Sequence, residues 1–267
     1  MKNILFIFLG VALLSMTSCY KIDNFKAPDA TVEGTFYNLL TNEPLQTSAG
    51  EWSIRYWERS YPGREGGVAD NNYQTLAVKQ DGTYRHTKLF KGTYDLLPYQ
   101  GPFWPTDTAK NVEITKKGAR QDFKVYPYLQ IIDFRYVNPP GTDSVRFYMR
   151  VKAPFLVSPI NDSTPLPNLY DVRFFISFNQ FVGSGTNSNI GWGEWHNLEN
   201  NGQKQIRRAF ALEAASEGGN GSDTTPEYML GPILLRRGYT YYVRGAANVN
   251  SSDRRYAYSD IQKIDFE

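Results

Sequence analysis

The feature that most constrains the fold of this chain is an alternation of apolar and polar residues with a period of two. In SVRFYMRVK, Val145, Phe147, Met149 and Val151 fall on one side of an extended strand, and the residues between them fall on the other. YDVRFFISF, residues 170–178, repeats the pattern. Further candidate strands with similar character lie at 31–37, 52–57, 73–79, 129–136, 205–212 and 239–247. Since no window of useful length repeats at helical spacing, the sequence predicts an all-β chain.

Composition excludes several classes of protein. Aromatic residues make up 15% of the chain and 22 glycines and 15 prolines recur along it, which favours strands joined by turns. The net charge is +2, so there is no electrostatic reason to expect a nucleic-acid partner. A single cysteine rules out an internal disulfide or a cluster of cysteine metal ligands. Stability is therefore expected to come from packing alone.

The N-terminal residues have the layout of an export signal. Lys2 is followed by the uncharged run from Ile4 to Met16 and then by small residues. This run of 13 residues is shorter than the roughly 20 that a membrane-spanning helix needs. LLSMTSC, which ends at Cys19, resembles the lipobox of bacterial lipoproteins, and the resemblance implies removal of residues 1–18 and diacylglycerol on the Cys19 thiol. The alternative is an ordinary secreted protein with a cysteine near its cleavage site.

Residues 31–125 are predicted to form a first β-sandwich after a tether at 19–30. The chain contains the series V-x-G-T-x-Y, N-E-P-L, Q-D-G-T-Y and L-x-x-G-T-Y, and Asp81-Gly82 is a hairpin signal because glycine tolerates the positive φ of a tight turn. This series resembles the carboxypeptidase-regulatory-like, transthyretin-like module, which implies seven strands. Its motifs are turn and strand signatures, so they specify a fold and no reaction.

Residues 126–267 are predicted to form a second β-sandwich. In LLRRGYTYYVRGAANV, Leu235 stands six residues before Tyr241, with Gly238 in the turn between them. This arrangement resembles the tyrosine corner of fibronectin type III and other immunoglobulin-like domains, in which the tyrosine hydroxyl bonds to backbone upstream. Because the linker KVYPYLQ is short, we expect the two domains to pack closely.

A lipobox, a transthyretin-like module and an immunoglobulin-like module together resemble a two-domain lipoprotein family of the Bacteroidetes. That family is associated with starch-utilisation-like (Sus-like) systems, in which a transporter and surface lipoproteins capture glycans. The resemblance implies an outer-membrane, lipid-anchored accessory protein with a glycan and transporter components as partners. CYKIDNF carries only Asp23 after the cysteine, so cell-surface exposure is expected while the leaflet facing the periplasm stays open.

Two segments combine aromatic residues with flexible polar loops, and they supply the candidate glycan-binding residues. PYQGPFWPTDT sets aromatics among prolines, and NSNIGWGEWHNLENNGQ sets two tryptophans among amides and a carboxylate. Aromatic faces stack on sugar C–H groups, and neighbouring amides and carboxylates bind the hydroxyls. The candidates are Tyr99, Trp104, Trp192, Glu194, Trp195 and Asn197. The competing interpretation is that these aromatics hold loops against the sandwich or fill the contact between domains.

Catalysis finds little support in the sequence, so we predict that the protein is not an enzyme. His86 and His196 are the only histidines, and no H-E-x-x-H motif, G-x-S-x-G elbow or phosphate loop accompanies them. We therefore expect no metal, no cofactor and no catalytic residue. Glu194 is the one carboxylate worth testing for glycoside hydrolysis.

The function predicted from the sequence is glycan capture by a non-catalytic lipoprotein. The alternative is a structural spacer or assembly subunit that binds only protein partners of an outer-membrane complex.

Overall fold

The computed structural model describes residues 26–60, 72–161, 163–185, 223–225 and 227–267. Within these residues the regular structure is entirely β-strand, which confirms the predicted all-β class. No helix in this part of the chain has the length and apolar character of a membrane span. Cys19 and the candidate strand at 205–212 lie outside the described residues.

The N-terminal module, residues 30–125, is a sandwich of two sheets. Its strands are β1 (Ala30–Asn38), β2 (Ser53–Glu58), β3 (Gln74–Ala77), β4 (Thr83–Leu89), β5 (Gly92–Tyr99), β6 (Ala109–Ile114), β7 (Ala119–Arg120) and β8 (Phe123–Val125). One sheet has the order β4-β1-β7, with β8 also paired to β1, and the other has the order β3-β2-β5-β6. Both β7 and β8 run parallel to β1 in one register, so they amount to one interrupted strand, and the described residues of the module then form seven strands.

Aromatic side chains fill the space between these two sheets. The ring of Phe36 on β1 lies 4.8 Å from Trp52, 5.2 Å from Phe123 and 5.8 Å from Phe103, all centroid to centroid. Such contacts add about 0.5–1.5 kcal/mol each to the stabilisation from burial. The N-terminal core therefore draws on the high aromatic content of the chain.

The Asp81-Gly82 turn forms and is closed by hydrogen bonds from the Lys79 N–H to the Thr83 carbonyl and from the Gly82 N–H to the Lys79 carbonyl, but β3 and β4 on either side of it do not pair with each other. Gly82 has a φ of +77°, as the sequence predicts. However, β3 pairs with β2 while β4 pairs with β1, so the turn carries the chain from one sheet to the other and the hairpin prediction is right for the turn but wrong for the strands around it. The backbone N–H of Phe36 donates to the Gly82 carbonyl, and the backbone N–H of Thr47 donates to the Gln80 carbonyl. These bonds attach the turn to neighbours outside its own flanking strands.

The C-terminal module, residues 130–266, is a second pair of sheets. Its strands are β9 (Gln130–Val137), β10 (Ser144–Lys152), β11 (Leu169–Ser177), β12 (Tyr228–Leu234), β13 (Tyr239–Val249), β14 (Ala257–Tyr258) and β15 (Gln262–Phe266). One sheet has the order β12-β10-β9, and the other has the order β11-β13-β14 with β15 also paired to β13. The apolar residues of SVRFYMRVK are completely buried, which confirms the period-two interpretation of β10.

The predicted tyrosine corner is present in this module. The Tyr241 hydroxyl accepts a hydrogen bond from the Arg236 N–H at 2.8 Å and donates one to the Arg236 carbonyl at 3.2 Å. Gly238, in the turn between them, has a φ of +80°. The contact ties the start of β13 to the chain that enters it.

Phe103 and Trp104 connect the two cores. Phe103 packs in the N-terminal core, whereas Trp104 packs in the C-terminal core and its ring lies 4.9 Å from that of Tyr128. Consecutive side chains of an extended segment point in opposite directions, so two adjacent residues can enter separate cores. The modules are therefore packed together as the short linker predicts.

Candidate functional site

The sheet of β11, β13, β14 and β15 presents its outer face to the N-terminal module. One side of β13 carries Tyr241 and Val243 into the C-terminal core, and the alternate residues Tyr242 and Arg244 lie on the other side. A small apolar cluster covers part of this outer face; its members are Phe175, Val182, Ala246, Tyr242, Tyr256, Tyr258 and Ile261. We call the contact between this face and the N-terminal module the seam.

Arg244 is completely buried in the seam, with 0% of its surface exposed. Its Nη1 donates to the Thr47 carbonyl of the N-terminal module at 2.8 Å and to the Val182 carbonyl at 3.3 Å. Its Nε and Nη2 donate to the Ser259 carbonyl, and the guanidinium lies 4.0 Å from the centre of the Tyr258 ring. Burial lowers the pKa of Arg244 to about 10, and the Tyr258, Glu51 and Asp260 groups nearby oppose that shift.

Glu51 supplies the acidic side of the same contact. Its carboxylate accepts hydrogen bonds from the Tyr258 hydroxyl at 2.6 Å and from the Tyr256 N–H at 3.1 Å. Burial raises the pKa of Glu51, while these two hydrogen bonds act against the increase. The Tyr256 hydroxyl donates in turn to Asp171 at 2.7 Å. Hydrogen-bonded polar groups thus set the relative position of the two modules.

A cleft of about 280 Å³ opens at one end of the seam. Its lining residues come from both modules: Gln80, Gln180, Phe181, Tyr242, Ile261 and Lys263. The volume is just below the roughly 300–1,000 Å³ of ligand pockets, so the cleft has room for only one or two rings of a longer ligand. We call this the seam cleft.

The groups in the seam cleft are an aromatic surface and amides. Phe181 is 48% exposed, and Tyr242 stands directly opposite Lys263 in the β13–β15 pairing. The Gln80 Nε2 donates to the Gln180 carbonyl at 2.9 Å, which joins the modules beside the cleft. The Gln80 Oε1 is buried with no hydrogen-bond partner among the described residues. Since this oxygen is closed off from solvent, a ligand hydroxyl or N–H in the cleft could bond to it only after the Gln80 side chain rotates.

The structure corrects the sequence-based prediction for Trp104. Only 2% of this residue is exposed, because its indole fills the C-terminal core. It has no face to offer a sugar ring, so the competing interpretation of a core contact applies.

Tyr99 lies on the N-terminal module, at the end of β5, where one face of its ring is covered by the Arg55 guanidinium at 3.3 Å. The structure therefore does not bring Tyr99 and Trp104 together in one site. Trp192, Glu194, Trp195 and Asn197 lie outside the described residues, as does His196. Their assignment to glycan binding stays a prediction.

Sequence reasoning missed all the residues of the seam cleft. Gln180 and Phe181 lie in SFNQFVGSG, where an aromatic residue stands among amides and glycines, the same composition that drew attention to Trp192. That signal could have found Phe181. Gln80, Tyr242 and Lys263 come from separate segments that only the packing of the modules brings together.

The described residues show no cluster of three or more histidine, cysteine or acidic residues that could hold a metal ion. His86 lies on β4 with its ring 6.0 Å from that of Tyr56, and its Nδ1 accepts a hydrogen bond from the Lys88 N–H. These contacts give it a local structural role at the strand surface.

Comparisons with known proteins agree with this fold. Residues 30–126 match the family described as "Protein of unknown function (DUF3823) N-terminal domain". A crystal structure from Bacteroides uniformis named a "putative carbohydrate binding protein" has a TM-score of 0.62 at 17% identity, covering 90% of this chain and 100% of that one. The structure of a DUF3823 family protein from Bacteroides uniformis has a TM-score of 0.58 at 21% identity, and that of one from Parabacteroides merdae has a TM-score of 0.54 at 17% identity. Both cover 90% of this chain and 100% of the other.

No curated protein matches the chain. At identities this low, the solved structures show a shared fold alone. The N-terminal module thus matches the DUF3823 N-terminal domain, and the two-module chain has the fold of these Bacteroides and Parabacteroides proteins.

Proposed function

We propose that this protein is a non-catalytic carbohydrate-binding protein whose seam cleft holds one or two rings of a glycan. The observation that carries the proposal is the half-exposed Phe181 ring in the same cleft as the side-chain amides of Gln80 and Gln180. A pyranose needs both kinds of group, since its C–H face stacks on an aromatic ring and its hydroxyls bind amides. The name of the Bacteroides uniformis structure supports this proposal.

The proposal includes the subcellular location and the domain organisation that the sequence predicts. Residues 1–18 are removed, Cys19 carries lipid, 19–30 form a tether, and 31–125 and 126–267 form the two domains. The anchored protein then faces outward from the outer membrane and presents the cleft to glycans that a Sus-like transporter imports.

Phe181→Ala is expected to weaken glycan binding about tenfold, because it removes the apolar surface on which a sugar ring stacks. The measurement is calorimetric titration of the full chain against a panel of neutral polysaccharides. Phe90→Ala is the matched control, since Phe90 is 43% exposed on the N-terminal module and lies outside the cleft. Both side chains are half exposed, so neither variant should change the melting temperature by more than about 2 °C.

Equal binding by Phe181→Ala and the parent would remove the seam cleft from the proposal. Binding to no glycan, together with co-purification of transporter components, would favour the structural spacer. Release of reducing sugar from any polysaccharide would contradict the non-catalytic assignment.

The double variant Trp192→Ala, Trp195→Ala tests the residues predicted from the sequence. We expect it to abolish retention on a polysaccharide column that retains the parent, because both indoles are proposed to stack on sugar rings. Its melting temperature should stay unchanged. Full retention by the double variant would confine glycan binding to other surfaces, such as the seam cleft.

A further inference from the structure

Arg55 occupies the middle of the outer face of the β3-β2-β5-β6 sheet. Its neighbours in the pairing are Thr75 on β3 and Leu97 on β5. Tyr99 pairs with Ser53, two residues before Arg55, so it lies diagonally across from Arg55 on the same face. Tyr73 directly precedes β3 and reaches the same face from the other side.

The two tyrosine rings hold the Arg55 guanidinium between them. Its central carbon lies 4.0 Å from the centre of the Tyr73 ring and 3.3 Å from that of Tyr99. Stacking of this kind contributes about 0.5–1 kcal/mol at an exposed site and more when the cation is desolvated. It orients the planar group without using its hydrogen-bond donors.

Arg55 differs from most arginines that the structure describes because its hydrogen-bond donors have no carboxylate partner. Arg59 pairs with Asp95 at 2.6 Å, and Arg135 pairs with Glu227 at 2.7 Å. Around Arg55, by contrast, the described residues place no carboxylate within 4.0 Å and no hydrogen-bond acceptor. Its Nε is buried without a partner, whereas its terminal nitrogens reach the solvent. A positioned guanidinium therefore has two donors available.

A second arginine adds positive charge next to this stack. Arg255 of the C-terminal module donates from Nη2 to the side chain of Gln100, the residue after Tyr99, at 3.3 Å. Arg255 also faces the Glu51 carboxylate, which offsets part of its charge. Arg55 has no such counter-charge in the described structure, so it is the stronger attraction for an anion.

We propose that Arg55, held between Tyr73 and Tyr99, binds the carboxylate of a uronic acid residue in an acidic glycan. A guanidinium presents two parallel N–H donors that match the two oxygens of a carboxylate. The flanking phenol rings offer apolar edges and hydroxyls to the sugar that carries it. The choice of a sugar over an acidic peptide rests on the proposed function, whereas the carboxylate follows from Arg55 itself.

The test is calorimetric titration of the full chain with trigalacturonate and with its methyl ester. The ester keeps the rings and removes the charges, so we expect it to bind at least about tenfold more weakly. Raising the salt from 50 to 500 mM should weaken binding of the acid and leave the ester unaffected.

Arg55→Met should reduce trigalacturonate binding to the level of the ester. Arg55→Lys should give an intermediate affinity, because it keeps the charge and loses the planar pair of donors. Arg146→Met is the control. Arg146 is an exposed arginine on the C-terminal module. Like Arg55 it has no carboxylate partner in the described structure, but no aromatic rings stack on it there. It should bind as the parent does.

Three results would overturn this inference. The acid and the ester could bind equally, Arg55→Met could bind as the parent does, or poly-glutamate could bind through Arg55 while the uronate does not. Phe181-dependent binding of a neutral glycan would still support the proposed function in each case. If no neutral glycan binds but the uronate binds through Arg55, the seam cleft is ruled out as a glycan site and the Arg55 site is kept.

Discussion

Arg244→Met is expected to lower the free energy of unfolding by about 4 kcal/mol, the largest effect of any change in the seam. Methionine fills much of the volume but donates no hydrogen bonds, so the buried carbonyls of Thr47, Val182 and Ser259 lose a partner. Because Thr47 belongs to the N-terminal module, the change also removes a bond between the modules. Chemical denaturation followed by tryptophan fluorescence measures the effect.

Arg254→Met is the matched control for this variant. Arg254 also stacks on a tyrosine, with its guanidinium 4.1 Å from the centre of the Tyr170 ring, but it is exposed. Water replaces its lost contacts, so we expect a change of about 0.5 kcal/mol. Similar losses for the two arginines would contradict the view that Arg244 joins the modules.

Trp104→Ala should lower the free energy of unfolding by about 4 kcal/mol, since it removes a large side chain from a packed core. The indole comes from the N-terminal half of the chain and packs in the C-terminal core, so its loss should also weaken attachment of the modules. Limited proteolysis and calorimetric melting together measure both consequences.

Trp104→Phe provides the graded comparison. It keeps an aromatic ring beside Tyr128 and should lose less stability than Trp104→Ala. Glycan binding should be unchanged in both variants at a temperature where they remain folded. A stable Trp104→Ala variant that no longer binds glycan would reinstate the assignment made from sequence.

The strands could be predicted because their information is local. In β10, the period of two places Val145 and Phe147 on the buried side, and the structure agrees. Tyr241 could be predicted to bond upstream because only a short turn separates the two partners. The Asp81-Gly82 turn was also local, but the pairing of the strands around it depends on β1 and β2, which are distant in sequence.

The candidate sites could not be predicted to the same extent. Tyr99 and Trp104 share an aromatic, proline-rich loop, yet one lies on a strand face beside Arg55 and the other enters a core. Composition indicates that a segment holds aromatics away from a regular strand. It does not indicate which core or surface receives each ring.

By itself, the sequence determined an all-β chain with two successive sets of strands and a tyrosine corner, since side-chain alternation and turn chemistry act over a few residues. Only the tertiary structure decided that Arg244 crosses to Thr47, that Gln80 meets Phe181 in one cleft, and that Arg55 stands between two tyrosines. The first two contacts join residues 100 or more positions apart. The third depends on the register of neighbouring strands. Such contacts form where surfaces of separate strands and modules pack, and no short window of the sequence encodes them.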